Sequence, residues 1–135
     1  MIVDTSAVVA VLREEPDAEQ YLEALVDAPV VRISAATLVE LSVVVDRQRD
    51  PVLSRRLDEL LTAVGVVVEP FTAQHAVAAR QAYRDFGKGS GHRAGLNLGD
   101  CFTYALATAS GESLLSKRSD FSETDLRPAL DDAPP

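Results

Sequence analysis

Met1-Ile2-Val3-Asp4-Thr5-Ser6-Ala7-Val8-Val9-Ala10-Val11-Leu12 starts the chain with an apolar run, a carboxylate, two hydroxyls and a second apolar run. It reads as a short buried strand, a polar turn and a helix capped by the carboxylate or hydroxyl group. Glu14-Glu15-Pro16-Asp17 breaks that helix and starts another, in which Ala18, Tyr21, Leu22, Leu25 and Val26 fall at helical spacing. Val30-Val31-Arg32-Ile33 predicts a second strand, and Ser34 caps a long helix running to about Arg49. Asp50-Pro51 supplies a cap and a first-turn proline for the next helix, which has Leu53, Leu57, Leu60 and Leu61 on its buried stripe. Gly65 ends it, and Val66-Val67-Val68 with Glu69-Pro70 predicts a third strand. Thr72 begins a helix to about Phe86, and Gly87-Lys88-Gly89-Ser90-Gly91-His92 is read as a flexible loop. An Ala-rich helix runs from Cys101 to Ser110, with Asp100 opening it and Gly111 ending it. Ser113-Leu114-Leu115-Ser116 predicts a fourth strand, and a weak last one begins at Leu126.

Short β-branched runs alternating with helices predict an α/β fold, with a mainly parallel sheet covered on both faces. Sites in such sheets collect outside the carboxyl ends of the strands. With 135 residues, 47% of them apolar, the chain makes one ordinary domain. It is expected over residues 1–130, followed by a disordered acidic and proline tail at 131–135. Twenty-one acidic against 13 basic residues give −8, which argues against a general nucleic-acid coating protein. An enzyme that holds cations on carboxylates remains open. Cys101, the single cysteine, excludes an internal disulfide and a multi-cysteine zinc site. No secretory signal is visible and no apolar run approaches the roughly 20 residues that span a bilayer, so a cytoplasmic, non-membrane protein is expected.

Four carboxylates stand where solvent alone would not put them. Asp4 closes a strand; Glu40 lies inside the apolar helix Ala35-Ala36-Thr37-Leu38-Val39-Glu40-Leu41-Ser42-Val43-Val44-Val45. Asp100 follows Gly99 at a helix start, and Asp120 follows the fourth strand. Each has a plain explanation: a cap for Asp4, an exposed stripe for Glu40, a dipole partner for Asp100, a turn for Asp120. Together, all four can converge at one sheet edge. Clustered carboxylates repel one another unless a hard divalent cation joins them. Such a site, with Mg²⁺ or Mn²⁺, suits phosphodiester cleavage. Asn97, Thr5 and Ser6 are the hydrogen-bonding groups expected to orient the acids.

Other chemistries fit less well. A dehalogenase-like phosphatase needs an aspartate where Ser6 stands, and a receiver domain needs one where Glu69-Pro70 stands. Cys101 in an Ala-rich helix reads as a packed thiol, and His75 and His92 lack metal-ligand spacing. The glycine-rich loop follows a helix rather than a strand, unlike phosphate-binding loops.

Taken together, Met1-Ile2-Val3-Asp4-Thr5-Ser6-Ala7, Ser34-Ala35-Ala36-Thr37-Leu38-Val39-Glu40 and His92-Arg93-Ala94-Gly95-Leu96-Asn97-Leu98-Gly99-Asp100-Cys101-Phe102-Thr103-Tyr104-Ala105-Leu106-Ala107 resemble the PIN-domain toxins of VapBC toxin–antitoxin systems. With Leu114-Leu115-Ser116-Lys117-Arg118-Ser119-Asp120-Phe121-Ser122-Glu123-Thr124-Asp125, the resemblance covers essentially the whole chain. It implies a Rossmann-like α/β/α sandwich and a Mg²⁺- or Mn²⁺-dependent endoribonuclease that cuts structured RNA, commonly transfer RNA. Asp4, Glu40 and Asp100 match the core metal-binding acids and Asp120 the fourth, less constant one. A homodimer and a cognate VapB-type antitoxin are implied, with operator DNA bound only through the antitoxin complex. One departure stands out: Arg118 replaces a glycine and Ser119 a polar or acidic residue before Asp120-Phe121. It motivates an alternative, a catalytically impaired domain acting mainly as an antitoxin-binding module. A housekeeping RNA-maturation nuclease is a third reading. RNA contact is expected from Arg84, Lys88, His92 and Arg93 around the loop and from Lys117-Arg118.

Overall fold

The computed structural model describes residues 1–117 and 119–130. Four short strands, β1 (Ile2–Val3), β2 (Arg32–Ser34), β3 (Val67–Glu69) and β4 (Leu114–Leu115), form one sheet in the order β3-β2-β1-β4. Every pairing is parallel, with Ile2 opposite both Arg32 and Leu114, and Ile33 opposite Val68. Successive residues alternate between faces, as the pleat requires. Val3 and Leu115 join one apolar cluster with α1 (Thr5–Leu12), α2 (Ala18–Asp27), α3 (Ala35–Asp46) and α4 (Pro51–Val64). Ile2 and Leu114 join the other, with α5 (Ala73–Phe86) and α6 (Leu98–Ser110). The expected sheet covered on both faces is therefore what forms. β3 is one of its two edges, with Val67 and Val68 exposed.

The chain winds outward from β1 through β2 to β3 and then returns to place β4 on the other side of β1. The reversal opens a crevice beyond the carboxyl ends of β1 and β4, where α/β sheets bind ligands. Asp4 lies directly at that point, its N–H donating to the Leu115 carbonyl at 3.0 Å.

Local chemistry shifts several expected boundaries. α1 begins at Thr5 because Asp4 accepts the Ser6 N–H as its cap. β2 ends at Ser34, which also caps α3 through the Ala36 N–H. α3 stops at Asp46 rather than near Arg49, whose φ of 55° leaves the helical region. α6 begins at Leu98, three residues before the expected start, because Asn97 is its cap. The weak strand expected from Leu126 is only a single bridge between Leu114 and Pro128, made by the Arg127 carbonyl and the Ala129 N–H on either side of the proline. The loop read as flexible is tied down: Lys88 N–H donates to the Leu96 carbonyl at 3.0 Å and Leu96 N–H to that of Phe86 at 2.8 Å. The tail at 131–135 and the Arg118 departure lie outside the described residues.

Candidate active site at the carboxyl edge of the sheet

Three helix starts and one strand end supply the site. Asp4 is 2% exposed, and both of its oxygens are held by hydroxyls. Thr103 on α6 donates to Oδ1 at 2.8 Å, and Ser6 on α1 donates to Oδ2 at 2.9 Å. Ser116, just after β4, stands 3.5 Å from the same Oδ2 and 3.1 Å from the Ser6 hydroxyl. Behind Thr103, fully buried Thr37 of α3 lies at 3.2 Å. Thr103 gives its proton to the carboxylate, so Thr37 must be the donor in that second bond. A directed chain, Thr37 to Thr103 to Asp4, thus pins α3, α6 and the end of β1 together.

Asp100, 3% exposed, is the third residue of α6 and forms a reciprocal capping box with Asn97. Its N–H donates to Asn97 Oδ1 at 2.9 Å, and its Oδ2 accepts the Asn97 N–H at 3.0 Å. Glu40, half-buried on α3 three residues beyond Thr37, accepts the Thr5 hydroxyl at 2.7 Å. The Glu40 carboxylate also packs on Gly99, immediately before Asp100. Asp4, Glu40 and Asp100 are therefore brought to one end of the sheet. Ser6, Thr5 and Asn97, the residues expected to orient the acids, each hold one of them. Two of the plain explanations hold as well: Asp4 caps α1, and Asp100 stands in the first turn of α6, where an acid offsets the helix dipole. Half-buried Glu40, by contrast, is not on an exposed stripe. Asp120 sits half-buried in a 3-10 helix over Ser119–Glu123, just beyond β4.

Among the described residues, no three Asp, Glu, His or Cys side chains close around a single point that could hold a metal ion. Neither Asp4 nor Glu40 has an ion-pair partner there; the described ion pairs lie elsewhere. An all-oxygen donor set of carboxylates and hydroxyls, without a closed cage, fits a hard divalent ion that keeps several of its waters. It does not fit zinc. Burial, then the adjacent Asp100 charge, pushes the Cys101 thiol up to about 11, far from a ligating thiolate.

The expected basic surface divides. Lys117 is committed to Glu15 and, at 3.1 Å, to Asp17. Arg93 pairs with Glu123 at 3.0 Å. His92 is a loop residue, its Nδ1 accepting the Ala94 N–H and its ring edge-on to Phe86. Arg84 and Lys88 are exposed and take part in no described ion pair. Thr37, Thr103, Ser116 and Gly99 were not singled out from the sequence. The only signal for Thr103 was a hydroxyl three residues after Asp100, on the same helix face.

A family model described as PIN domain matches residues 1–126. Ribonuclease VapC28 of Mycobacterium tuberculosis is 56% identical over 131 residues, 97% of this chain and 98% of its own. Ribonuclease VapC42 of the same species is 50% identical over 129 residues, 96% and 98% of the two chains. Among solved structures, M. tuberculosis VapC20, described as a sarcin-ricin loop cleaving toxin, superposes with a TM-score of 0.69 at 20% identity, over 94% of this chain and 98% of that one. A toxin–antitoxin complex from Klebsiella pneumoniae gives 0.67 at 20% identity, over 90% and 89%. At that identity the structural likeness is one of fold.

Proposed function

Because the chain belongs to the PIN-domain family, and within it to the VapC ribonucleases that match nearly its whole length, we propose that it is the toxin of a toxin–antitoxin pair: an endoribonuclease that cuts structured RNA, transfer RNA foremost, with Mg²⁺ or Mn²⁺ at Asp4, Glu40 and Asp100. The observation that carries this reading is Asp4, almost fully buried at the switch point of a parallel sheet and held by hydroxyls, with no ion-pair partner among the described residues. Burying a charge without a counter-ion is costly even where hydroxyls hold it, so such a group suits a cation that arrives.

Asp4 and Asp100 would hold the ion, with Glu40 beside them and Asp120 at the rim. When bound, such a cation supplies charge neutralisation at a scissile phosphate and makes water a competent nucleophile near neutral pH. The chain's own residues supply the geometry. Thr103 and Ser6 fix the two oxygens of Asp4, the Asn97 main chain fixes one oxygen of Asp100, and Thr5 fixes Glu40. Groups held this way need no reordering when substrate enters. Among the described residues expected to meet RNA, Arg84 and Lys88 are exposed and in no described ion pair, which suits phosphate contact that must be local in a chain of net charge −8.

Partners follow from the same reading. The cognate VapB-type antitoxin would block the acidic pocket, and operator DNA would be met through that complex alone. The homodimer has a candidate face in an apolar groove of about 310 Å³ between α5 and α6, lined by Phe71, Ala79, Tyr83, Leu98 and Phe102. The competing reading, an impaired antitoxin-binding module, rests on the segment after β4, where Lys117 is bound up with Glu15 and Asp17.

One experiment separates them. Antitoxin-free protein is incubated with total cellular RNA in Mg²⁺, Mn²⁺ or EDTA, alongside Asp4→Asn, and the new 5′ ends are mapped. Discrete cuts that need the metal and fall at least about a hundredfold in the variant are expected. Cleavage unaffected by EDTA and by the variant would remove the metal site; no cleavage by folded, metal-supplied protein would favour the binding module.

A further inference from the structure

Gly99 presents a puzzle that backbone conformation does not solve. Five of the seven glycines, Gly65, Gly89, Gly91, Gly95 and Gly111, have the positive φ that favours glycine, whereas Gly99 does not. It is the second residue of α6, where alanine would form helix better. What glycine provides there is space. A Cβ built on Gly99 would fall inside the Glu40 carboxylate, against Oε2 and 2.7 Å from Oε1. The space is thus filled by an acidic side chain from another helix, and the next residue is Asp100.

We propose that Gly99 is the positioning residue that admits Glu40 to the acid cluster: with no side chain at this point of α6, the Glu40 carboxylate lies against the first turn of the helix beside Asp100. Glu40 is anchored on its other side by the Thr5 hydroxyl at 2.7 Å, so its carboxylate is held between α1 and α6. A methyl group at residue 99 would evict the carboxylate without breaking the fold, because what must move is the end of a flexible side chain and not backbone. The inference rests on the nuclease reading for its consequence and not for its geometry.

The test is a cycle of wild type, Gly99→Ala, Glu40→Ala and the double variant. It is read by Mn²⁺ affinity, by kcat and KM for RNA cleavage, and by thermal unfolding, with a crystal structure of Gly99→Ala. Gly99→Ala is expected to unfold no earlier than wild type. It should lose about ten- to a hundredfold in Mn²⁺ affinity and kcat. Glu40→Ala should cost a similar factor in wild type and nothing further in the Gly99→Ala background, because there Glu40 is already displaced. Should Gly99→Ala fold poorly, recovery of its unfolding temperature in the double variant identifies Glu40 as the group evicted. Losses that multiply would overturn the proposal, as would a Gly99→Ala crystal structure with Glu40 still bonded to Thr5. If wild type neither binds Mn²⁺ nor cleaves RNA, the nuclease reading fails, while that crystal structure still decides the cradle.

Discussion

At the scale of single residues, the site is built as much from hydroxyls as from acids. Thr103 makes two bonds with one oxygen, donating to Asp4 and accepting from Thr37 in a fully buried setting. Replacing it by valine keeps the shape and leaves both neighbours without that partner, which costs about 1–3 kcal/mol. Urea unfolding of Thr103→Val should show that loss, and Thr103→Ser should restore most of it. If Thr103→Val is as stable as wild type, the relay contributes nothing. Cys101 is the opposite case, a residue whose chemistry is suppressed by its place. Buried, with its thiol raised to about 11, it should resist alkylation at mildly alkaline pH until the protein unfolds. Rapid modification of the folded protein would contradict that packing.

At the scale of elements, helix starts do the positioning. α1, α3 and α6 all begin at the carboxyl edge, capped by Asp4, Ser34 and Asn97. Two of the candidate acids are therefore held by the same hydrogen bonds that start a helix. Asn97→Ala removes the side-chain half of the capping box and should cost about 1 kcal/mol. It should also lower RNA cleavage by more than a change of stability explains, since the residue-97 N–H that holds Asp100 Oδ2 then sits on a turn no longer tied to the Asp100 N–H. Asn97→Asp keeps an acceptor and should retain the stability. A cleavage rate unchanged in Asn97→Ala would separate the cap from the chemistry.

At the scale of the whole molecule, two apolar clusters lie on opposite faces of a very short sheet, and the segment after β4 is fastened to α6. The Tyr104 hydroxyl of α6 donates to Asp125 Oδ1 at 2.7 Å, and Phe121 is buried in the same cluster. Burial, then the bond to Asp125, pushes the Tyr104 phenol up to about 12 from its ordinary 10. With the folded value raised, the stabilisation is full below about pH 10 and is lost as pH rises to about 12. The loss amounts to about 2 kcal/mol. Denaturant unfolding across that range should therefore fall more steeply for wild type than for Tyr104→Phe; parallel curves would refute the coupling. Among the described residues, no helix is long and apolar enough to cross a membrane.

The amino-acid sequence by itself determined the order of strands and helices, the caps at Ser34, Asp50, Thr72 and Gly65, and the four acids worth watching. These are local properties: capping, turn and periodicity rules act within a few residues, so they can be read without knowing the fold. It also carried the family resemblance, because the motifs around Asp4, Glu40 and Asp100 are contiguous. Only the tertiary structure decided which acids meet and what holds them. The links from Thr103 to Asp4, from Thr5 to Glu40 and from Glu40 to Gly99 span residues far apart in the chain. The parallel order β3-β2-β1-β4 creates them, bringing the ends of β1 and β4 beside the starts of α3 and α6. The commitment of Lys117 to Glu15 and Asp17 was invisible for the same reason. A charge read along the chain looks available until packing shows which opposite charge the fold has placed next to it.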